Sequence, residues 1–349
     1  MKIGVTLCLA AAVLVSCSSA AALRDNASPR FAWSYRTGDY VRSVPLIADG
    51  VAYVGSDDNA LHAVDAAAGE GLWTFDTDDN VTASPVLVGD AVVFASWDGG
   101  VYAVRRDDGN LLWRTDTDGW ITGSPAAGSG AVYVGSHDGF VYALNAGDGS
   151  VLWKVQTDGQ VAGGLTLADG VLFFGASDNY VYAVGASDGA LKWRFRASGD
   201  VVSTPAVANG SLYVGSLGRE FYALDADTGS LRWTYDMDMG CESSPLVADG
   251  RVYVGADDGH LYALDGENGS LIWRFQAQDI IRSAPIARRG LVFVGSDDGY
   301  LYAIDPGSGE PAWRYRTGGA IAAGPASTED TLFVGSTDRR LHAFAFDAQ

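Results

Sequence analysis

The stretch LYALDGENGSLIWRFQAQDIIRSAPIARRGLVFVGSDDGY, residues 261–300, decides the fold. Forty residues upstream, 221–260 reads FYALDADTGSLRWTYDMDMGCESSPLVADGRVYVGADDGH, with the same glycines, aromatics and acids in the same order. Trp33, Trp73, Trp113, Trp153, Trp193, Trp233, Trp273 and Trp313 stand 40 apart and account for eight of the ten Trp in the 349-residue chain. A glycine precedes each of the last seven by four residues, from Gly69 to Gly309. Proline keeps the same period at Pro45, Pro85, Pro125, Pro205, Pro245, Pro285 and Pro325, with Leu165 standing where the eighth would fall. Self-similarity at a fixed period marks a repeat architecture, so it takes precedence over any local motif.

Residues 243–280 show what one unit holds. SPLVA is a short apolar run, and the Asp249-Gly250 pair after it is a tight hairpin signal. RVYVGA alternates Val252 and Val254 against Tyr253, and the DDG at 257–259 is a second turn. HLYALD is a third strand and GENGS a third turn. LIWRFQ is the fourth strand, with Leu271, Trp273 and Phe275 expected on one face and Ile272 and Arg274 on the other. Four short antiparallel strands cannot bury both faces alone. Repeated radially, each sheet packs on the next. The expectation is an all-β, eight-bladed β-propeller of four-stranded antiparallel blades. Its periodic Trp fills the gap between neighbouring blades.

The two chain ends complement each other. The first unit begins with an isolated fourth strand, FAWSYR at 31–36, and the last ends after a third strand, RLHAFAF at 340–346. The N-terminal strand 31–36 is therefore expected to join the C-terminal three strands, closing the ring and covering its edges.

Residues 1–16 read as a signal peptide of lipoprotein type. Lys2 is the basic region, Ile3–Val15 is too short to span a bilayer comfortably, and LVSC at 14–17 has the pattern of a lipobox that would lipidate Cys17. Ordinary cleavage within the SSAAA run at 18–22 is the alternative. Residues 17–30 would be a tether and 31–349 the ring. Membrane contact would come only through the anchor, with the protein exported into the cell envelope, on the periplasmic side of an outer membrane where the host has one. Cys8, Cys17 and Cys241 are the only cysteines, so a mature lipidated chain keeps Cys241 alone and has no internal disulfide.

The chain carries 43 acidic and 23 basic residues, a formal charge of −20. Such a surface repels nucleic acid and anionic lipid. Many of the acids sit in turns, among them Asp57, Asp58, Asp98, Asp138, Asp257, Asp258, Asp297 and Asp298, where turn chemistry accounts for them first. The loops are too short to supply six or seven oxygen ligands to calcium on their own. His62 and His342 occupy a strand slot that holds Tyr in the other units, and read as aromatic substitutes.

The unit, as in SLYVGSLGREFYALDADTGSLRW at 211–233 and RVYVGADDGHLYALDGENGSLIW at 251–273, resembles the repeat of the pyrroloquinoline-quinone (PQQ) propeller superfamily over about nine-tenths of the chain. Within it, an eight-bladed ring behind a lipoprotein signal is similar to the BamB family. The resemblance implies a non-enzymatic protein-binding scaffold whose partner is a β-barrel assembly protein, docked on one propeller face of a monomeric ring. The alternative it implies is a PQQ-dependent dehydrogenase. Enzymes of that kind set adjacent cysteines over the quinone, a Trp beneath it, and Asp, Glu or Asn around calcium. This chain has no adjacent cysteines and no long insertion to build a lid. The expectation is that it is not an enzyme and carries neither PQQ nor calcium.

Candidate contact residues follow from the register. The positions opening each unit are Arg42, Thr82, Thr122, Ala162, Val202, Glu242, Arg282 and Ala322. Arg42, Glu242 and Arg282 are the charged ones and read as channel lining or a small-anion contact. Trp97 and Trp120 are the two Trp outside the period, at a turn and near a blade end, where an aromatic serves either as an exposed docking residue or in local turn packing. Tyr40 holds the same position as Trp120 two units earlier, and the two would line one rim together.

Overall fold

A computed structural model describes residues 28–347, and every regular element in that span is a β-strand. The strands group into eight four-stranded antiparallel sheets. Seven are continuous in sequence, blade 1 spanning 46–76 and each later blade starting 40 residues on, to blade 7 at 286–316. Blade 8 is composite: Ala326–Ser327, Thr331–Ser336 and Arg340–Ala345 are completed by Arg30–Arg36, which pairs antiparallel with Arg340–Ala345. The ring is thus an eight-bladed propeller closed by its N-terminal strand, which begins one residue earlier than expected. The expected signal segment, Cys17 and all but the last three residues of the expected tether lie outside the described residues.

Within a blade, the short first strand lies nearest the axis and the fourth outermost. The crossovers just before successive first strands are stitched together: Val44 N–H donates to Ser84 Oγ at 2.9 Å and Ser84 N–H to Ser124 Oγ at 3.1 Å. The hairpin at 249–250 has positive φ at both residues, +50° and +74°, the geometry that matches strand twist. The second and third strands are buried on both faces because a neighbouring blade covers each.

The fourth strand departs from simple alternation. A register shift falls just before each Trp, as between Ala263 and Leu264, which pair with Trp273 and Leu271. The bulge re-aims the chain so that Leu271 and Ile272 are both exposed while Trp273 turns inward. Leu271 therefore does not share the Trp273 face.

Each periodic Trp works across blades. Trp193 Nε1 donates to the Ala226 carbonyl of the next blade at 3.0 Å, and Trp73, Trp113, Trp153, Trp233 and Trp273 make the equivalent bond. Its ring also lies on the next blade's last turn. At Gly229, with φ +70°, a β-carbon would stand 2.6 Å from the Trp193 ring. The glycine four residues before a Trp thus serves the Trp of the preceding blade. A second cross-blade fit sets Val41, Val81, Ile121, Val161, Val201, Cys241, Ile281 and Ile321, all buried, against the previous blade, usually over the glycine of its second strand.

Candidate functional site

Two faces result. One carries the hairpins between first and second strands and between third and fourth. The other carries the blade-to-blade crossovers, such as 37–45, and the turns between second and third strands. Backbone bonds tie these last two together, Asp57 N–H to the Tyr40 carbonyl at 2.8 Å and His137 N–H to the Trp120 carbonyl at 2.8 Å. Every candidate contact residue lies on this crossover face.

The acid at the second position of the turn, Asp in every turn but the one at Gly218, belongs to the framework. Asp138 accepts from Tyr142 Oη at 2.7 Å, from Phe140 N–H at 2.9 Å and, across the blade gap, from Asp118 N–H at 3.1 Å. Asp98, Asp178 and Asp298 repeat the pattern. His62 with Asp58 (3.1 Å) and His342 with Asp338 (2.9 Å) substitute for the Tyr–Asp pair. Burial, followed by the hydrogen bond to Asp98, pushes the Tyr102 phenol far up, and the same holds for its counterparts Tyr142, Tyr182, Tyr262 and Tyr302. These phenols stay donors at any physiological pH.

The first position of the same turns is different. Around the ring it holds Asp57, Trp97, His137, Ser177, Leu217, Asp257, Asp297 and Thr337. Several of these side chains meet the blade-opening residue of their own blade. Arg42 pairs with Asp57 at 2.6 Å, Trp97 Nε1 donates to Thr82 Oγ1 at 2.7 Å, and Thr122 Oγ1 lies 2.9 Å from His137 Nε2. Arg282 reaches Asp297 at 3.5 Å and Glu242 at 3.6 Å. Arg42 is thus neutralised by Asp57, while Glu242 and Arg282 pair with each other, so the three charged residues do not form one group.

Asp57, Asp257 and Asp297 are the residues that sequence reasoning passed over as turn acids. Each has one oxygen buried with no hydrogen-bond partner. Burial first, and then the negative charge of Glu242, pushes the Asp257 carboxyl up to about 6. Burial likewise raises Asp57 and Asp297, against the lowering effect of their arginines. The available signal was column variation: the second turn position is nearly always Asp, the first is not.

On the other side of the ring, Trp97 and Trp120 stack with centroids 5.7 Å apart and planes within 8°. Trp120 is 56% exposed, with the His137 ring also 6.1 Å from its centroid at 42°. Tyr40 is exposed on its own crossover, with the Arg42 guanidinium 5.4 Å from its ring centroid, and it does not join the Trp pair. The order of blades sets the Trp pair, in blades 2 and 3, diametrically opposite Glu242, Asp257, Arg282 and Asp297, in blades 6 and 7. Cys241 fills one of the Val/Ile slots, fully buried, and burial pushes its thiol far up, which makes it unreactive. Among the described residues, no three His, Cys, Asp or Glu side chains converge to hold a metal ion.

The family described as outer membrane protein assembly factor BamB matches residues 11–119, 97–204, 198–296 and 277–349. The chain belongs to the BamB family. Successive matches overlap around the ring, as expected when one unit recurs. Among solved structures it is similar to BamB from Moraxella catarrhalis, with a TM-score of 0.79 and 19% identity over 91% of this chain and 100% of that one. It is also similar to a europium-containing methanol dehydrogenase (TM-score 0.81, 15% identity, 93% and 94% covered). A third is the computationally designed Ika8 protein (TM-score 0.79, 17% identity, 89% and 97% covered). Among curated proteins, none matches by sequence. At these identities the neighbours share the fold with the chain, and they include a BamB ring, a dehydrogenase's ring and a designed one alike.

Proposed function

We propose that this BamB-family chain is a non-enzymatic, protein-binding scaffold of the cell envelope, held by a lipid on Cys17, with the crossover face as its docking surface. A part in assembling outer membrane β-barrel proteins is the specific form of this reading. The observation that carries it is the Trp97–Trp120 stack: a rigid aromatic face, held by Thr82 and left open to solvent, is the side-chain type that dominates binding energy at protein interfaces. The donor set weighs against the quinone enzyme. Oxidation by a bound quinone needs a planar pocket, a divalent cation and a carboxylate free to take a proton. Asp257 could take a proton, but among the described residues no three carboxylate, His or Cys side chains converge to hold the cation, the only described cysteine is buried, and the exposed Trp120 stands at a rim.

The test is a titration of the lipid-free chain with PQQ and calcium, followed by absorption and by a dye-linked alcohol oxidation assay. The expected result is no saturable binding and no dye reduction. One-to-one binding with turnover would overturn the scaffold reading. Photo-crosslinking from position 120 in the native envelope, with position 249 on the opposite face as control, then identifies what docks.

A further inference from the structure

We propose that the mouth of the crossover face takes an extended basic, apolar segment of its protein partner, which crosses the channel from Trp120 to Asp257. This rests on the scaffold reading above and gives that reading a ligand chemistry.

Charge comes first. The mouth holds four carboxylates, Asp57, Glu242, Asp257 and Asp297, against two guanidiniums, Arg42 and Arg282, and both guanidiniums are already paired. Asp257 keeps a buried oxygen without a hydrogen-bond partner. The surrounding crossovers add exposed Asp78, Asp118, Asp158, Asp238 and Asp279. The two lysines of the described residues, Lys154 and Lys192, sit on outer strands away from this rim. A cationic side chain is the complement, and a partly desolvated carboxylate holds it more strongly than a surface one.

Apolar contact comes second. Trp120, Tyr40, Met239 and Leu217 are the large exposed apolar side chains on this face. Trp120 and Asp257 lie on opposite sides of the ring, so a small ion cannot use both, whereas a chain laid across the mouth can. The exposed part of the Trp120 indole, 56% of the residue, also accepts a guanidinium or an aromatic ring of such a chain. A neutral sugar fits less well. The hydroxyls beside the Trp pair are already engaged, Thr82 Oγ1 accepting from Trp97 Nε1, and Thr122 Oγ1 donating to the Ala162 carbonyl and facing His137 Nε2.

The probe is an acetylated, amidated octapeptide of alternating Arg and Phe, titrated calorimetrically and by Trp fluorescence into the intact chain at fixed ionic strength. Its charge-reversed Glu-Phe counterpart and a neutral maltooligosaccharide are run beside it. One-to-one binding of the basic peptide is expected. Trp120→Ala and Asp257→Asn should each weaken it about tenfold or more, the loss typical of a hot-spot residue. Asp249→Asn, on the opposite face, should not. Circular dichroism confirms that each variant is folded. Basic-peptide binding that ignores Trp120→Ala and Asp257→Asn, or falls equally with Asp249→Asn, overturns this site and leaves the scaffold reading standing. Equal binding of the acidic peptide or the sugar overturns it too, as does absence of peptide binding. The scaffold reading fails separately, through the PQQ titration.

Discussion

Ring closure rests on one short strand, and its removal should be felt well beyond that strand. Arg30–Arg36 touches three blades. It pairs with Arg340–Ala345 in blade 8, Phe31 stacks on Tyr315 of blade 7 at 5.9 Å, and Tyr35 Oη meets His62 Nδ1 of blade 1 at 3.2 Å. Trp33 lies on the Gly69 turn of blade 1, where a β-carbon would stand 2.5 Å from its ring, and packs on Phe333 at 5.9 Å. Truncating a core Trp to Ala costs ~3–5 kcal/mol, and the half-buried Trp33 belongs at the lower end, ~3 kcal/mol. With an unfolding entropy of ~2.1 cal/mol/K per residue over the ring, that alone lowers Tm by ~4 °C. Removing the whole strand also exposes the edge of Arg340–Ala345 and must cost more. Two chains, one starting at residue 28 and one at residue 37, compared by scanning calorimetry, give the measurement. The shorter chain should melt at least ~4 °C lower and recover on addition of a 28–36 peptide. Trp33→Ala should cost more than Trp153→Ala, because a strand with no covalent link to its blade can leave. If both chains melt together, or Trp153→Ala is the worse of the two, the closure argument is wrong.

Three further outcomes are expected. Asp257 has a folded pKa of about 6, above its unfolded value, so its contribution to stability is full below the unfolded value and is lost as pH rises through 6. Asp257→Asn should therefore raise Tm at pH 7.5 and leave it unchanged at pH 4, as followed by thermal melts. Gly229→Ala should destabilise by more than Gly250→Ala in denaturant unfolding. Both have positive φ, worth ~1 kcal/mol against alanine, but only Gly229 would push a methyl into a Trp ring, and Gly250 has open space. Tyr142→Phe should cost ~1.5–3 kcal/mol in the same assay, the worth of a hydrogen bond to an ionised acceptor, by leaving Asp138 one donor short.

The blade count, strand order and closure were legible because a 40-residue period repeats every packing contact eight times. What escaped was which residues meet between units. Gly269 stands four residues before Trp273, and reading along the chain associates those two. The structure instead sets Gly269 against Trp233 of the preceding blade. A single-unit reading cannot register such a pair, since both partners recur at the same period. The bulge escaped for another reason. Leu271, Ile272 and Trp273 are all apolar, and alternation carries no information where every residue in the window is apolar.

The site shows the converse. Where the framework dictates a residue, the column is nearly constant: the plug is Val, Ile or Cys, and the bridging acid is Asp in all but one turn, where Glu220 bonds Tyr222 instead. Where the framework is indifferent, residues differ from blade to blade, and the column of Asp57, Trp97, His137, Ser177, Leu217, Asp257, Asp297 and Thr337 does so on the face that carries the channel mouth. Eightfold geometry makes the backbone equivalent at these positions, and what distinguishes them is the side chain each carries and the blade-opening residue it meets, as with Asp57 and Arg42, Trp97 and Thr82, and His137 and Thr122. A ligand that fits this ring meets an aromatic stack on one side and carboxylates on the other, in one orientation only. That asymmetry is what a scaffold needs to hold a partner in a fixed direction, and it is written wholly in the departures from the repeat.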